Sequence, residues 1–214
     1  MNIEYVLPTD IEKRSFEIIE SELESEIPGD IKPIVIRAIH TTADFDYAKN
    51  LYFSDNIVDK ALAALDRGAI IVTDTNMARS GINKAALARH GCECMCFMAD
   101  EDIAEAAKLH RTTRASASVD KAAGLRKPVI YAVGNAPTAL IRLCEHISDG
   151  SFIPEFVIGA PVGFVNVVQS KEMLISTGIP CIVARGRKGG SNIAAAICNA
   201  LLYMLDNKKG VFVK

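Results

Sequence analysis

The sequence predicts an α/β protein in three layers, with helices on both faces of a mostly parallel central sheet. Two observations carry that expectation. Residues 69–74, 129–133, 156–158 and 181–184 are short, continuously apolar runs without alternation, the pattern of strands buried on both faces. Segments with helical apolar spacing lie between them, and strand–helix alternation marks parallel βαβ units. The chain has 214 residues, half of them hydrophobic and 23% charged, enough for one domain with a proper core. No linker, repeat or low-complexity segment divides it, so residues 1–214 read as a single domain.

Two helices precede the alternating part. Thr9 and Glu12 have capping-box spacing and open a helix over 10–25, with Ile11, Phe16, Ile19 and Leu23 as its buried stripe and a Glu-rich solvated face. Pro28-Gly29 breaks the chain. Ile31, Ile34, Val35, Ala38 and Ile39 then recur at helical spacing, with Asp30 as N-cap candidate and Pro33 in the first turn. In that helix, over 31–42, Arg37 and His40 are three apart and share a flank.

Residues 45–53 fit either a helix or extended chain. Ser54 or Asp55 caps a helix through Leu65, ended by Gly68. After the strand at 69–74, residues 76–81 read as a loop or turn, and 82–90 as a short helix. A strand over 92–98 follows, then helices from Asp100 or Glu101 to His110 and over 113–123. The strand at 129–133 leads through Gly134-Asn-Ala-Pro137 into a helix to about Ile147. The strand at 156–158 precedes a short helix over 171–177. The strand at 181–184 precedes a long one over 192–205 capped by Ser191, and 211–213 suit a small edge strand.

Composition excludes several classes of function. Trp is absent and aromatics are 6%, too few for a base-stacking platform. Residues 1–30 hold nine acids against Lys13 and Arg14, a balance of −7 that leaves +5 for the rest. That excess is too small for a duplex-DNA binder but suits an acidic small molecule, so no nucleic-acid partner is expected. No apolar run reaches the roughly 18 residues of a membrane span, and no signal peptide is visible at the N-terminus. A cytoplasmic protein with reduced thiols is the expectation. Cys92-x-Cys94-x-Cys96 has the period of a strand with small buried thiols on one face, in preference to a metal site.

The chemistry is expected where the strands end. Thr73-Asp-Thr-Asn, Gly134-Asn-Ala-Pro-Thr138, Gly159-Ala-Pro-Val-Gly-Phe164 and Arg185-Gly-Arg-Lys-Gly-Gly-Ser191 all follow parallel strands and so share one sheet edge. Thr73, Asn135, Gly163, Arg185, Lys188 and Ser191 are the ligand contacts expected there, with Arg114 and Arg111 adding charge. Cations beside a helix N-terminus make an anion site, and this supply suits several carboxylates better than one phosphate. The loop is not a Walker loop, no G-x-G-x-x-G is present, and neither a G-x-S-x-G elbow nor H-E-x-x-H occurs. Of the four histidines, His90 and His110 fall at helix ends, His146 lies late in an amphipathic helix, and His40 alone sits beside an Arg. A reaction needing one acid/base group, with no nucleophile or metal, suits this inventory.

Taken together, several segments resemble the precorrin-8X methylmutase family of cobalamin biosynthesis, which includes the cobalt-precorrin-8 methylmutases. They are Arg37-Ala-Ile-His40, Thr73-Asp74 with Met77 and Gly81-Ile82, Arg114-Ala-Ser116, Gly134 to Leu140, Gly159 to Val165, Ser170-Lys-Glu172 and Arg185 to Ser191. Each is weak alone, and their order and spacing are specific. The resemblance implies an isomerase that moves a methyl group from C-11 to C-12 of a corrin ring, giving hydrogenobyrinic or cobyrinic acid. It implies His40 as the proton or hydrogen-bond donor, Ser15 and Arg37 as substrate contacts, no cofactor, and a homodimer with its site near the subunit interface. The chain departs from the family pattern at Gln169, where Glu is frequent, and at Thr42-Ala43, where Gly is common. Two other readings stay open: a corrinoid carrier that converts nothing, and a phosphate- or nucleotide-binding enzyme using residues 185–191.

Overall fold

The structure, a computed structural model, describes residues 3–211. Its centre is a six-stranded sheet in the order β1-β6-β5-β4-β2-β3. The strands are β1 (Leu51–Phe53), β2 (Ile70–Thr73), β3 (Glu93–Met95), β4 (Val129–Val133), β5 (Phe156–Gly159) and β6 (Cys181–Ala184). All neighbours are parallel except β1, which runs against β6 with Leu51 opposite Ala184. The segment left open at 45–53 is thus both things, a one-turn helix α3 (Tyr47–Asn50) and then an edge strand.

Alternate residues of each central strand enter different cores. Ile71, Ile130, Ala132, Phe156, Ile158 and Ile182 pack under α1 (Ile11–Glu22), α2 (Lys32–Thr42), α4 (Ile57–Asp66), α5 (Asn76–Gly81), α6 (Lys84–Arg89) and α11 (Ser191–Lys208). Val72, Val129, Tyr131, Val133, Val157 and Val183 pack under α7 (Glu101–Leu109), α8 (Arg114–Ala123), α9 (Pro137–Asp149) and α10 (Val167–Ser176). This is the expected three-layer arrangement, and it explains the unbroken apolar runs, since both strand faces are covered.

Helix starts differ from the expected caps for identifiable reasons. The Thr9–Glu12 capping box does not form: the Thr9 hydroxyl turns to the Asp10 carboxylate, and Glu12 accepts from Arg37 at 3.0 Å. Ile31 rather than Asp30 stands at the start of α2, and Asn56 rather than Ser54 or Asp55 at that of α4. Residues 76–81 are helical, started by Thr75, whose hydroxyl accepts from the Ala78 N–H at 3.1 Å. Gly190, not Ser191, occupies the cap position of α11, and β3 is shorter than 92–98. The suggested edge strand at 211–213 lies mostly outside the described residues.

The long helix α11 lies centrally on its layer, against α2, α4 and α5. Its last turns are tied to α6 by Asp206, whose buried carboxylate accepts from His90 Nε2 at 2.9 Å and from both Nε and Nη2 of Arg89. Thus His90 serves this buried carboxylate as well as ending its helix. Arg89 first, and His90 after it, hold the Asp206 carboxyl below the usual value. A lowered carboxyl pKa contributes stability that is present above the unfolded value, near pH 4, and lost as pH falls through the folded one. Asp206→Asn is expected to cost about 2–3 kcal/mol at pH 7 and to flatten the fall in melting temperature below about pH 4. Thermal melts of both proteins from pH 7 to pH 2.5 check this.

Candidate active site

The parallel strands end on one edge, and the loops there are locked to one another. The Asp74 carboxylate, buried just past β2, accepts the backbone N–H groups of Gly134, Asn135 and Ala136 at 2.7, 2.8 and 2.7 Å. Burial raises its pKa, and those three donors oppose the shift. The loop after β4 in turn lies against the start of α11. A Cβ on Gly134 would stand 2.6 Å from the Ser191 Cα, and one on Gly189 2.3 Å from the Ala160 carbonyl oxygen. Only glycine allows backbone to meet backbone this closely. Ser191 Oγ lies 2.7 Å from Thr75 Oγ1, which joins the β2 and β6 loops.

Thr73 is fully buried, and its hydroxyl's single proton is shared between the Thr75 and Met95 carbonyls, at 3.0 and 3.3 Å. That position makes it a brace inside the edge. Asn135 is exposed at the rim. Gly163 has φ +140 and donates its N–H to the Arg187 carbonyl at 3.2 Å. Phe164 and Val165 beyond it are about 80% exposed, unusual for apolar side chains, and the Arg187 guanidinium lies 5.4 Å from the Phe164 ring centroid.

The expected cations are present but mostly paired. Arg185 donates twice to Glu172, at 2.9 and 2.6 Å. Lys188 donates to Asp44 and Asp46, each at 2.6 Å, and these carboxylates hold its ammonium above the ordinary value. Arg37 lies between the rings of Phe16 and Tyr203, 5.3 and 4.7 Å from their centroids, with Glu12 at its end. Arg187, Arg111 and Arg114 enter no ion pair among the described residues. Reading the chain for cations missed these acids. The α2–α3 turn that carries Asp44 and Asp46 meets the β6 loop only because β1 folds back along β6.

His40 lies exposed on the last turn of α2, edge-on to Phe16 with ring centroids 5.2 Å apart. With Ser15, Ile18, Ile19, Glu22, Ile39, Ala43 and Phe45 it lines an open, largely apolar recess of about 270 Å³. Ser15 Oγ donates to the Ile11 carbonyl at 2.8 Å. Ser15 and His40 therefore share one recess, while Arg37 lies on the other side of Phe16, in a neighbouring recess of about 290 Å³. Arg114 is elsewhere: it is exposed at the start of α8, in the layer on the opposite face of the sheet. Thr113 Oγ1 lies 2.9 Å from Thr138 Oγ1 there, so α8 and α9 begin side by side at the same edge. His146 bonds to Ser151 and Asp120 away from that edge. No group of three or more candidate metal ligands is found among the described residues.

The scaffold is an α/β sheet whose strand-end loops are locked by glycines, with three arginines free of ion pairs among the described residues and His40 exposed on α2. A sequence model of the precorrin-8X methylmutase family matches residues 10–204. The cobalt-precorrin-8 methylmutase of Salmonella typhimurium is 46% identical over 206 residues, covering 92% of this chain and 96% of that one. The precorrin-8X methylmutase of Pseudomonas aeruginosa is 34% identical over 194 residues, covering 89% and 93%. A solved structure described as the precorrin-8x methyl mutase of Thermus thermophilus superposes with a TM-score of 0.85 at 37% identity, covering 93% of this chain and 98% of that one. The chain belongs to the precorrin-8X methylmutase family, isomerases of cobalamin biosynthesis.

Ala43 ends α2 in the left-handed region at φ 54 and lines the His40 recess. An L-residue there costs roughly 1–2 kcal/mol, partly offset by the greater unfolded-state entropy of glycine. Ala43→Gly is expected to stabilise the protein by up to about 1 kcal/mol in urea unfolding.

Proposed function

We propose that this chain is a corrin-ring isomerase that moves the methyl group from C-11 to C-12 of precorrin-8 or cobalt-precorrin-8, giving hydrogenobyrinic or cobyrinic acid. The observation that carries this reading is the family match across residues 10–204, within which His40 stands exposed beside an apolar recess. The methyl group leaves C-11 with its bonding pair and joins C-12 while the conjugated double bonds shift. Substrate and product are isomers, so no oxidant, reductant or second substrate enters. His40 donates a proton or a hydrogen bond to the conjugated system near ring C, which eases the 1,5-sigmatropic shift, and it recovers the proton in place. A positioned general acid typically contributes about 10²–10⁴-fold. Holding a flat macrocycle in reactive shape contributes separately.

The ring's carboxylates engage Ser15 and Arg37 near His40, and Arg114, Asn135, Gly163, Arg185, Lys188 and Ser191 along the sheet edge. His40 and Arg114 belong to layers on opposite faces of one sheet. That separation supports a homodimer in which one subunit supplies the His40 recess and its partner part of the carboxylate-binding edge. No helix among the described residues is long and apolar enough to cross a membrane, which accords with work in the cytoplasm.

His40→Ala is expected to melt like the parent, since the ring is exposed, and to lose about 10²–10⁴-fold in turnover. Conversion of the orange substrate to the pink corrin, with NMR of the migrated methyl, measures it. Parent-like turnover in this variant ends the role of His40. Binding by the parent protein with no spectral change over many equivalents replaces the enzyme with a carrier.

A further inference from the structure

Lys171 lies on α10, fully buried beneath the loop that joins β6 to α11. Its Nζ donates to the carbonyls of Gly186 and Lys188, both at 2.8 Å. The carbonyl between them, that of Arg187, accepts from the Gly163 N–H. Three successive carbonyls are therefore turned to protein donors. The peptide bonds are all trans, so each carbonyl points opposite to the N–H that shares its plane. The N–H groups of Arg187, Lys188 and Gly189 thus face away from these partners, and no hydrogen bond among the described residues uses them. The next N–H, that of Gly190, donates to Ala160 and ends the run.

We infer that Lys171 is a positioning residue for the substrate: it turns the Gly186 and Lys188 carbonyls inward, so that the N–H groups of Arg187 and Gly189 face outward and receive one carboxylate of the corrin ring. The inference deepens the proposed function and rests on it. Charge supports the geometry. Lys188 and Arg185 already share their charge with Asp44, Asp46 and Glu172, whereas Lys171 meets only carbonyl oxygens and pairs with no acid among the described residues. Its positive charge is left under the loop, where it favours an anion above. Burial pushes the ammonium pKa down to about 8 with nothing to offset it. A buried, unpaired charge is a cost to the fold, so stability alone does not account for Lys171.

The test uses the intact protein, with steady-state kinetics on cobalt-precorrin-8 and amide hydrogen exchange with and without cobyrinic acid. Lys171→Met is expected to raise KM by about tenfold or more while kcat changes by less than about threefold, and Lys171→Arg to restore part of the loss. In the parent protein, cobyrinic acid slows exchange of the Arg187 and Gly189 amides. An unchanged KM in folded Lys171→Met overturns the inference, and so does a lack of slowing in the parent at saturating cobyrinic acid. If Lys171→Met shows no cooperative melt, the exchange measurement on the parent decides. A parent that neither converts cobalt-precorrin-8 nor binds cobyrinic acid instead takes down the functional reading itself.

Discussion

The Asp74 carboxylate accepts three successive N–H groups from the loop after β4, and the functional edge is built outward from that contact. Buried backbone donors need partners. A tight loop at a strand end cannot supply them from its own ladder. Asp74 does so in one place, which frees the loop to lie flat against the start of α11. Gly134 and Gly189 then bring backbone onto backbone, and the Thr75–Ser191 contact closes the gap between β2 and β6. Each loop is shaped by its neighbours, so the edge behaves as one object.

Two buried ionic groups of opposite sign organise this edge in opposite ways. Asp74 draws N–H groups inward after β4, whereas Lys171 draws carbonyls inward after β6. Among the described residues, the second arrangement leaves donors without a protein partner. The exposed cations, by contrast, are largely answered by acids from other elements. Their contribution at the surface is small and falls with salt. The edge therefore presents oriented backbone dipoles and a few unpaired arginines more than a uniformly basic surface.

Legibility in the sequence followed the range of the interactions involved. Unbroken apolar runs identified β2, β4, β5 and β6, because burial on both faces leaves a mark within a single strand. Capping was less legible. Glu12 has the right spacing to return to its own helix start, but Arg37 from α2 takes its carboxylate instead. His40 and Ser15 line one recess because α1 and α2 pack with Phe16 between them, a contact between two helices that neither helix's own pattern records. Thr73 sat in a loop rich in special residues, yet it turns inward to two carbonyls.

By itself the sequence determined the layer class and the family, since apolar periodicity and ordered motifs are properties of local chain. Only the tertiary structure decided which charges remain available. Lys188 finds Asp44 and Asp46 about 140 residues away in the chain, Arg185 finds Glu172, and Lys171 finds no acid among the described residues. Pairing depends on which loops the fold brings within hydrogen-bond distance, and no local pattern records that.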